Sequence, residues 1–261
     1  MYKVSEIAPD VYRISVYVKE YNLQFNHFLL LDEEPLLYHT GMRRMFPEVV
    51  QAVRQVLEPA RIRWIGFSHF EVDECGALNE WLQLAPQAQA VCSDIGAIVN
   101  MADYAIRPAR MMAPDERLHT GKHAYRLINT PHLPHGWDAS VLFEETNQTL
   151  LCSDLFHQNG DVPALTDHDI LGAHQASMQE YEKGPLMEYT PYTPNTAKLL
   201  HTLASLQPRT LATMHGSSFA GNCAQALHDL DGVMRDLWGQ PEYSTQKAAP
   251  QKNPDSPELV F

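Results

Sequence analysis

The chain has 261 residues, 44% of them hydrophobic, and a formal net charge of -13 at pH 7. That length holds one large domain or two small ones with a substantial core. The acidic balance argues against a surface that tracks nucleic acid or an anionic membrane, since both need clustered Lys and Arg, and leaves a small molecule or a protein as the expected partner.

In chain order, residues 11–18 (Val-Tyr-Arg-Ile-Ser-Val-Tyr-Val) alternate as a half-buried strand, and residues 27–31 form a second strand running into the Asp32-Glu33-Glu34-Pro35 turn. Residues 36–38 return as a third. Phe46, Val49, Val50, Val53, Val56 and Leu57 recur at helical spacing and Glu58-Pro59 closes that helix. A strand over residues 61–67 leads into an acidic motif, and a helix over residues 76–84 begins where the motif ends. Residues 94–101 read as helix and residues 107–116 as irregular. Strands are expected over residues 124–128, 140–143 and 149–152. The polar stretch 161–185 reads as an irregular excursion over a site. A helix over residues 193–206, a strand over 210–214 and a long closing helix over 219–237 complete a domain spanning residues 1–240. Residues 241–261 turn to Pro, Lys, Gln and Ser, the composition of a loose tail.

No apolar stretch approaches membrane-spanning length, and Met1-Tyr2-Lys3-Val4-Ser5-Glu6 lacks the apolar core of a signal peptide, so a cytoplasmic protein is expected. Cys75, Cys92, Cys152 and Cys223 stand far apart with no C-x-x-C, which excludes a disulfide framework and a zinc ribbon. Reduced, packed thiols are the expectation, with Cys75 the more exposed.

Four polar clusters end apolar strands. The first is Ser68-His69-Phe70-Glu71-Val72-Asp73-Glu74-Cys75-Gly76, where an extended backbone would point His69, Glu71 and Asp73 the same way. The alternative is a solvated loop with Asp73 capping a helix. The second, Asn129-Thr130-Pro131-His132-Leu133-Pro134-His135-Gly136-Trp137-Asp138, is a Pro-rich turn able to aim an imidazole. The third carries Asp154 after Leu150-Leu151-Cys152-Ser153, and the fourth carries His215 after Thr213-Met214. Each alone is ordinary; together they supply a metal-ligand set.

The order H-x-E-x-D, then His after a Thr-Pro loop, then a lone Asp after a strand, then His-Gly, resembles the metallo-β-lactamase superfamily. Glu71 at the second position makes the motif similar to the di-iron domain of flavodiiron proteins and of oxygen-binding di-iron proteins. The resemblance runs over residues 1–237 and implies an α+β fold, a four-layer αββα sandwich with metals at one edge. It implies one iron held by His69, Glu71 and His135, a second by Asp73 and His215, and Asp154 bridging both. His135-Gly136-Trp137-Asp138 matches the family's H-x-x-D, which favours His135 over His132. The family's second motif His is replaced by Glu74, so either that carboxylate binds the second metal or the position is left to solvent. The flavodiiron proteins' flavodoxin-like domain does not follow here, and no phosphate-cradling loop is seen, so no FMN is expected.

An imidazole and carboxylate set without thiolate suits iron, manganese or zinc, and the three or four carboxylates favour two iron ions over a hydrolytic zinc pair, which wants more neutral imidazole. The expected activity is binding or reduction of dioxygen, or of nitric oxide, with a separate redox or signalling protein as partner and a homodimer possible. The alternative is a metallohydrolase of thioesters, lactones or phosphodiesters. His27, His132 and Tyr192 are candidates for the surroundings of the metals, Tyr181 and Tyr189 for the pocket lining, and His157, His168 and His174 for the surface.

Overall fold

The computed structural model describes residues 2–239; the tail expected over residues 241–261 lies outside the described residues. Strands β1 (Tyr2–Ala8), β2 (Val11–Val18), β3 (Leu23–Leu30) and β4 (Leu36–Tyr38) pair antiparallel in sequence order. β5 (Trp64–Gly66), β6 (Gln89–Ser93) and β7 (Arg110–Met112) extend the same sheet in parallel. The remaining strands, β8 (Arg117–His119), β9 (Ala124–Asn129), β10 (Ser140–Glu144), β11 (Thr149–Leu151), β12 (Leu165–Thr166), β13 (Thr210–Ala212) and β14 (Ser218–Phe219), form a second sheet in the order β12-β14-β13-β11-β10-β9-β8. The helices are α1 (Phe46–Val53), α2 (Val72–Cys75), α3 (Leu78–Leu84), α4 (Ala102–Tyr104), α5 (Leu171–Tyr181), α6 (Thr196–Ser205) and α7 (Cys223–Trp238).

The two-residue period of a strand sorts the core into layers. On β3, Phe25 and Leu29 join Val49 and Val53 of α1 and Leu78 and Trp81 of α3. Phe28 and Leu30, on the other face, join Leu36 and Trp64 and meet Tyr125, Leu127, Leu142 and Leu151 of the second sheet. That sheet's far face, with Val141, Phe143, Leu150 and Leu211, lies under Leu200 and Leu203 of α6 and Leu227 and Leu230 of α7. The result is helices, sheet, sheet, helices, the α+β sandwich expected. Removing apolar surface from water in three such layers is what holds the sheets face to face.

Several boundaries differ from the sequence reading. The helix expected over residues 46–57 ends at Val53 and continues as turns, and the strand expected over 61–67 shrinks to Trp64–Gly66 behind a short 3-10 turn, Pro59–Arg61. Residues 107–116 contain β7. The stretch 161–185, expected to be irregular, contains α5, which buries only His174, Ser177 and Met178 and so carries no apolar stripe for a periodicity to reveal. Cys75 is buried like the other three thiols.

Topology places the site. β9 and β11 both run antiparallel to β10, and β13 runs parallel to β11, so all three end at one edge. β5 of the first sheet ends there too: Ser140 N donates to Ser68 O at 2.9 Å, Asn26 N to Met214 O at 2.9 Å and Met214 N to Ser153 O at 2.8 Å. Each of the four polar clusters therefore leaves its strand at the same place. No helix of the described residues is long and apolar enough to cross a membrane.

Candidate metal centre

After β5 the chain bends through Ser68, His69 and Phe70 and enters the single-turn helix α2 at Val72. The extended segment expected to align His69, Glu71 and Asp73 is thus absent; the bend brings His69 and Glu71 together, and the helix separates Asp73 from Glu74 by about 100° around its axis. His69 Nε2 lies 2.9 Å from Glu71 Oε2. The loop after β9 adds His135, whose Nε2 stands 2.7 Å from His69 Nε2 and 2.9 Å from Glu71 Oε2. Asp138 fixes that loop against the motif by accepting from Phe70 N at 3.1 Å and from Asn100 Nδ2 at 2.8 Å. His132, exposed on the loop, takes no part in the cluster.

Asp154 follows β11 and is buried, with its two oxygens turned to different partners. Oδ2 faces His135 Nε2 at 3.5 Å and His69 Nε2 at 3.7 Å, while Oδ1 faces His215 Nε2 at 3.3 Å. His215, after β13, also meets Asp73 Oδ2 at 3.2 Å through Nε2, and its Nδ1 is 2.8 Å from Gln24 O, which orients the ring. Gly216, at φ +100°, permits the tight turn behind it. Four donor atoms, from His69, Glu71, His135 and Asp154, lie within 4.8 Å of one another.

The sequence profile of the "ODP family beta lactamase" matches residues 23–216. The chain belongs to the ODP family. It is 26% identical over 202 residues to the rubredoxin-oxygen oxidoreductase of Megalodesulfovibrio gigas, covering 76% of this chain and 49% of that protein. It is 22% identical over 221 residues to the flavo-diiron protein FprA2 of Clostridium acetobutylicum, covering 83% and 54%. The solved structure of rubredoxin oxygen:oxidoreductase from Desulfovibrio gigas superposes with a TM-score of 0.76 at 20% identity, over 88% of this chain and 61% of that one. The chain spans about half the length of the curated relatives it matches, and the fold shared with them is that of the metallo-β-lactamases.

Within this ODP-family chain, Glu74 departs from the ligand role considered for it. Its buried carboxylate accepts from Ser68 N at 2.8 Å, His69 N at 2.9 Å, Ser153 Oγ at 2.8 Å and Ser68 Oγ, and sits 3.3 Å from His69 Nδ1, the ring nitrogen away from the cluster. Tyr192 is displaced from the site as well, donating to Asp231 Oδ1 of α7 at 2.8 Å. His27 is fully buried, with Nδ1 3.3 Å from His39 O. Of the histidines assigned to the surface, His168 is exposed, whereas His157 and His174 are buried. His157 packs 4.7 Å from the His215 ring and its Nε2 is 3.0 Å from Tyr181 Oη; Tyr189 packs 4.7 Å from the His135 ring. These residues form an aromatic wall over both halves of the centre. Only their density of aromatic residues pointed to it in the sequence, for Tyr181 and Tyr189; nothing pointed to His157.

Burial alone would depress the His69 imidazole, yet the charge of Glu74, the hydrogen bond to Glu71 and the charge of Asp154 hold its pKa up at about 10. Burial is likewise outweighed at His215, raised to about 9 by Asp73 and Asp154, and His135 is raised by Glu71 and Asp154. Asp154 itself is pushed up to about 6 by burial against the pull of His215 and His69. In each of the three imidazoles the carboxylate partners outweigh burial.

The donor set fits metal ions on its own chemistry. Two imidazole nitrogens 2.7 Å apart can share only one proton between them, and among the described residues Asp73 Oδ1 and Asp154 Oδ1 are buried without a hydrogen-bond partner. A cation among His69, Glu71 and His135 would relieve the crowded nitrogens, and a second beside His215 would partner the carboxylate oxygens on that side, a shell of about 2.1 Å radius spacing its donors by roughly 3–4 Å.

Proposed function

We propose that the chain holds two iron ions at this edge, one by His69, Glu71 and His135, the other by Asp73 and His215, with Asp154 shared, and that the pair binds or reduces dioxygen or nitric oxide. The observation that carries the reading is the division of Asp154, one oxygen toward His69 and His135 and the other toward His215. With Glu74 behind His69, the donor set comprises three carboxylates and three imidazoles, anionic enough to offset most of the charge of two divalent ions and suited to the ferric state. The second group offers fewer protein donors than the first, leaving room for a small ligand. Two ferrous ions held there would each supply one electron to dioxygen, and further reduction would draw on an outside donor. Asp154 keeps the two positions adjacent, and the wall of His157, Tyr181 and Tyr189 limits water and gives polar tips near the ligand's side of the centre. The name of the Megalodesulfovibrio gigas relative pairs oxygen with rubredoxin, which supports a small redox protein as electron donor.

Purification without oxygen, followed by elemental analysis and admission of oxygen, tests the proposal. Two irons per chain and an absorption change on mixing with oxygen are expected. Two zinc ions, an unchanged spectrum and efficient thioester or phosphodiester cleavage would replace the proposal with the hydrolase alternative.

A further inference from the structure

We infer that Glu74 is the positioning residue of the centre, gripping His69 from behind so that its Nε2 faces the metal. The inference rests on the two-metal reading above. A carboxylate has about four acceptor sites, and Glu74 fills them with Ser68 N, His69 N, Ser68 Oγ and Ser153 Oγ, leaving His69 Nδ1 at 3.3 Å and His39 Nε2 at 3.6 Å on its edges. His39 is held in turn, its Nδ1 3.4 Å from Asn26 O. Thr40 N, at 2.6 Å, and Thr40 Oγ1, at 3.2 Å, donate to the Glu74 backbone carbonyl. Nothing in this cage is open to solvent: Glu74, His39 and Ser153 are fully buried, Ser68 and His69 nearly so.

Two consequences follow from that placement. His69 Nδ1 lies 3.1 Å from Ser68 Oγ, the hydroxyl that itself donates to Glu74, so an Nδ1–H given to that relay leaves the Nε2 lone pair, in a fixed plane, for a metal and makes it a better donor. Ser153 immediately precedes Asp154, so the same carboxylate ties the end of β5, which carries His69, to the end of β11, which carries the shared Asp154. Glu74 therefore sets the His69 position through the His69 backbone N–H and the Ser68 hydroxyl, and registers the two sheets at the site without itself facing the metals.

The test uses zinc, which is diamagnetic, as the probe on the full chain stripped of metal. The unmodified chain should take two equivalents, and long-range proton–nitrogen spectra of the zinc-loaded form should show His69 protonated at Nδ1 with Nε2 on the metal. Glu74→Gln should still take two equivalents, with one of them bound about 10–100-fold more weakly, and Glu74→Asp should recover part of the loss. Ser153→Ala, which removes one prop and no ligand, should weaken the same equivalent to a smaller degree and serves if Glu74→Gln does not fold. Loss of a whole equivalent in Glu74→Gln, unchanged affinity for both, or His69 bound through Nδ1 overturns the inference while leaving two metals in place. Failure of the unmodified chain to bind two zinc ions sinks the two-metal reading, and this inference with it.

Discussion

Raising the pH from 7 to 9 should tighten metal binding steeply, because in the metal-free chain protons occupy the nitrogens that metals need. His69 titrates at about 10 and His215 at about 9. At pH 7, freeing them costs about 4 and about 3 kcal/mol at 1.36 kcal/mol per unit, equivalent to roughly 1,000-fold and 100-fold in apparent affinity. Isothermal titration with zinc in buffers of different ionisation enthalpy reads this directly: close to one proton should leave each of these imidazoles at pH 7, with about tenfold tighter binding per pH unit up to about pH 9. Conversely, both values lie above the ordinary imidazole value of about 6.5. The pairing thus stabilises the metal-free fold fully below about pH 6.5, and that contribution is lost as pH rises through 9 to 10. Binding that releases no protons at pH 7, with affinity flat to pH 9, would refute the electrostatic account of the site.

Further outcomes follow from single substitutions. His135→Ala should abolish stoichiometric metal binding, whereas His132→Ala, at an exposed position, should leave it intact; equal loss by elemental analysis would show the register is wrong. Gly216→Ala places a Cβ 2.6 Å from Gln158 Cβ at φ +100°, so it should cost about 1–3 kcal/mol in urea unfolding and weaken the metal held by the adjacent His215; an unchanged midpoint contradicts this. Trp81, fully buried, edge-on to Phe46 at 5.2 Å and donating to Thr40 O, anchors α3. Trp81→Ala should lower stability by about 3–5 kcal/mol, and a loss under about 1 kcal/mol would refute that packing role.

The strand over residues 11–18 was readable from its alternation and appears as β2, whereas β3, buried on both faces with Phe25 turned one way and Phe28 the other, has no alternation and was read only from residue 27. The spacing of His69, Glu71, His135, Asp154 and His215 was readable because each lies just past an apolar strand. What the letters withheld was direction. Asp73 and Glu74 are adjacent acids, and only the helical turn at Val72–Cys75 sends one to His215 and the other behind His69. His157 was unreadable for a different reason, since its burial depends on α5, whose Leu171–Tyr181 sequence has no apolar face. Tyr192 misled because a tyrosine near the site in sequence had a closer acceptor in Asp231.

The most direct measurement is anomalous diffraction at the iron edge from crystals of the iron-loaded chain. The account predicts two peaks roughly 3.5–4 Å apart, one beside His69, Glu71 and His135, the other beside Asp73 and His215, with the Asp154 carboxylate between them. A single peak, or two peaks with Glu74 in the coordination shell and Asp154 outside it, would contradict the account.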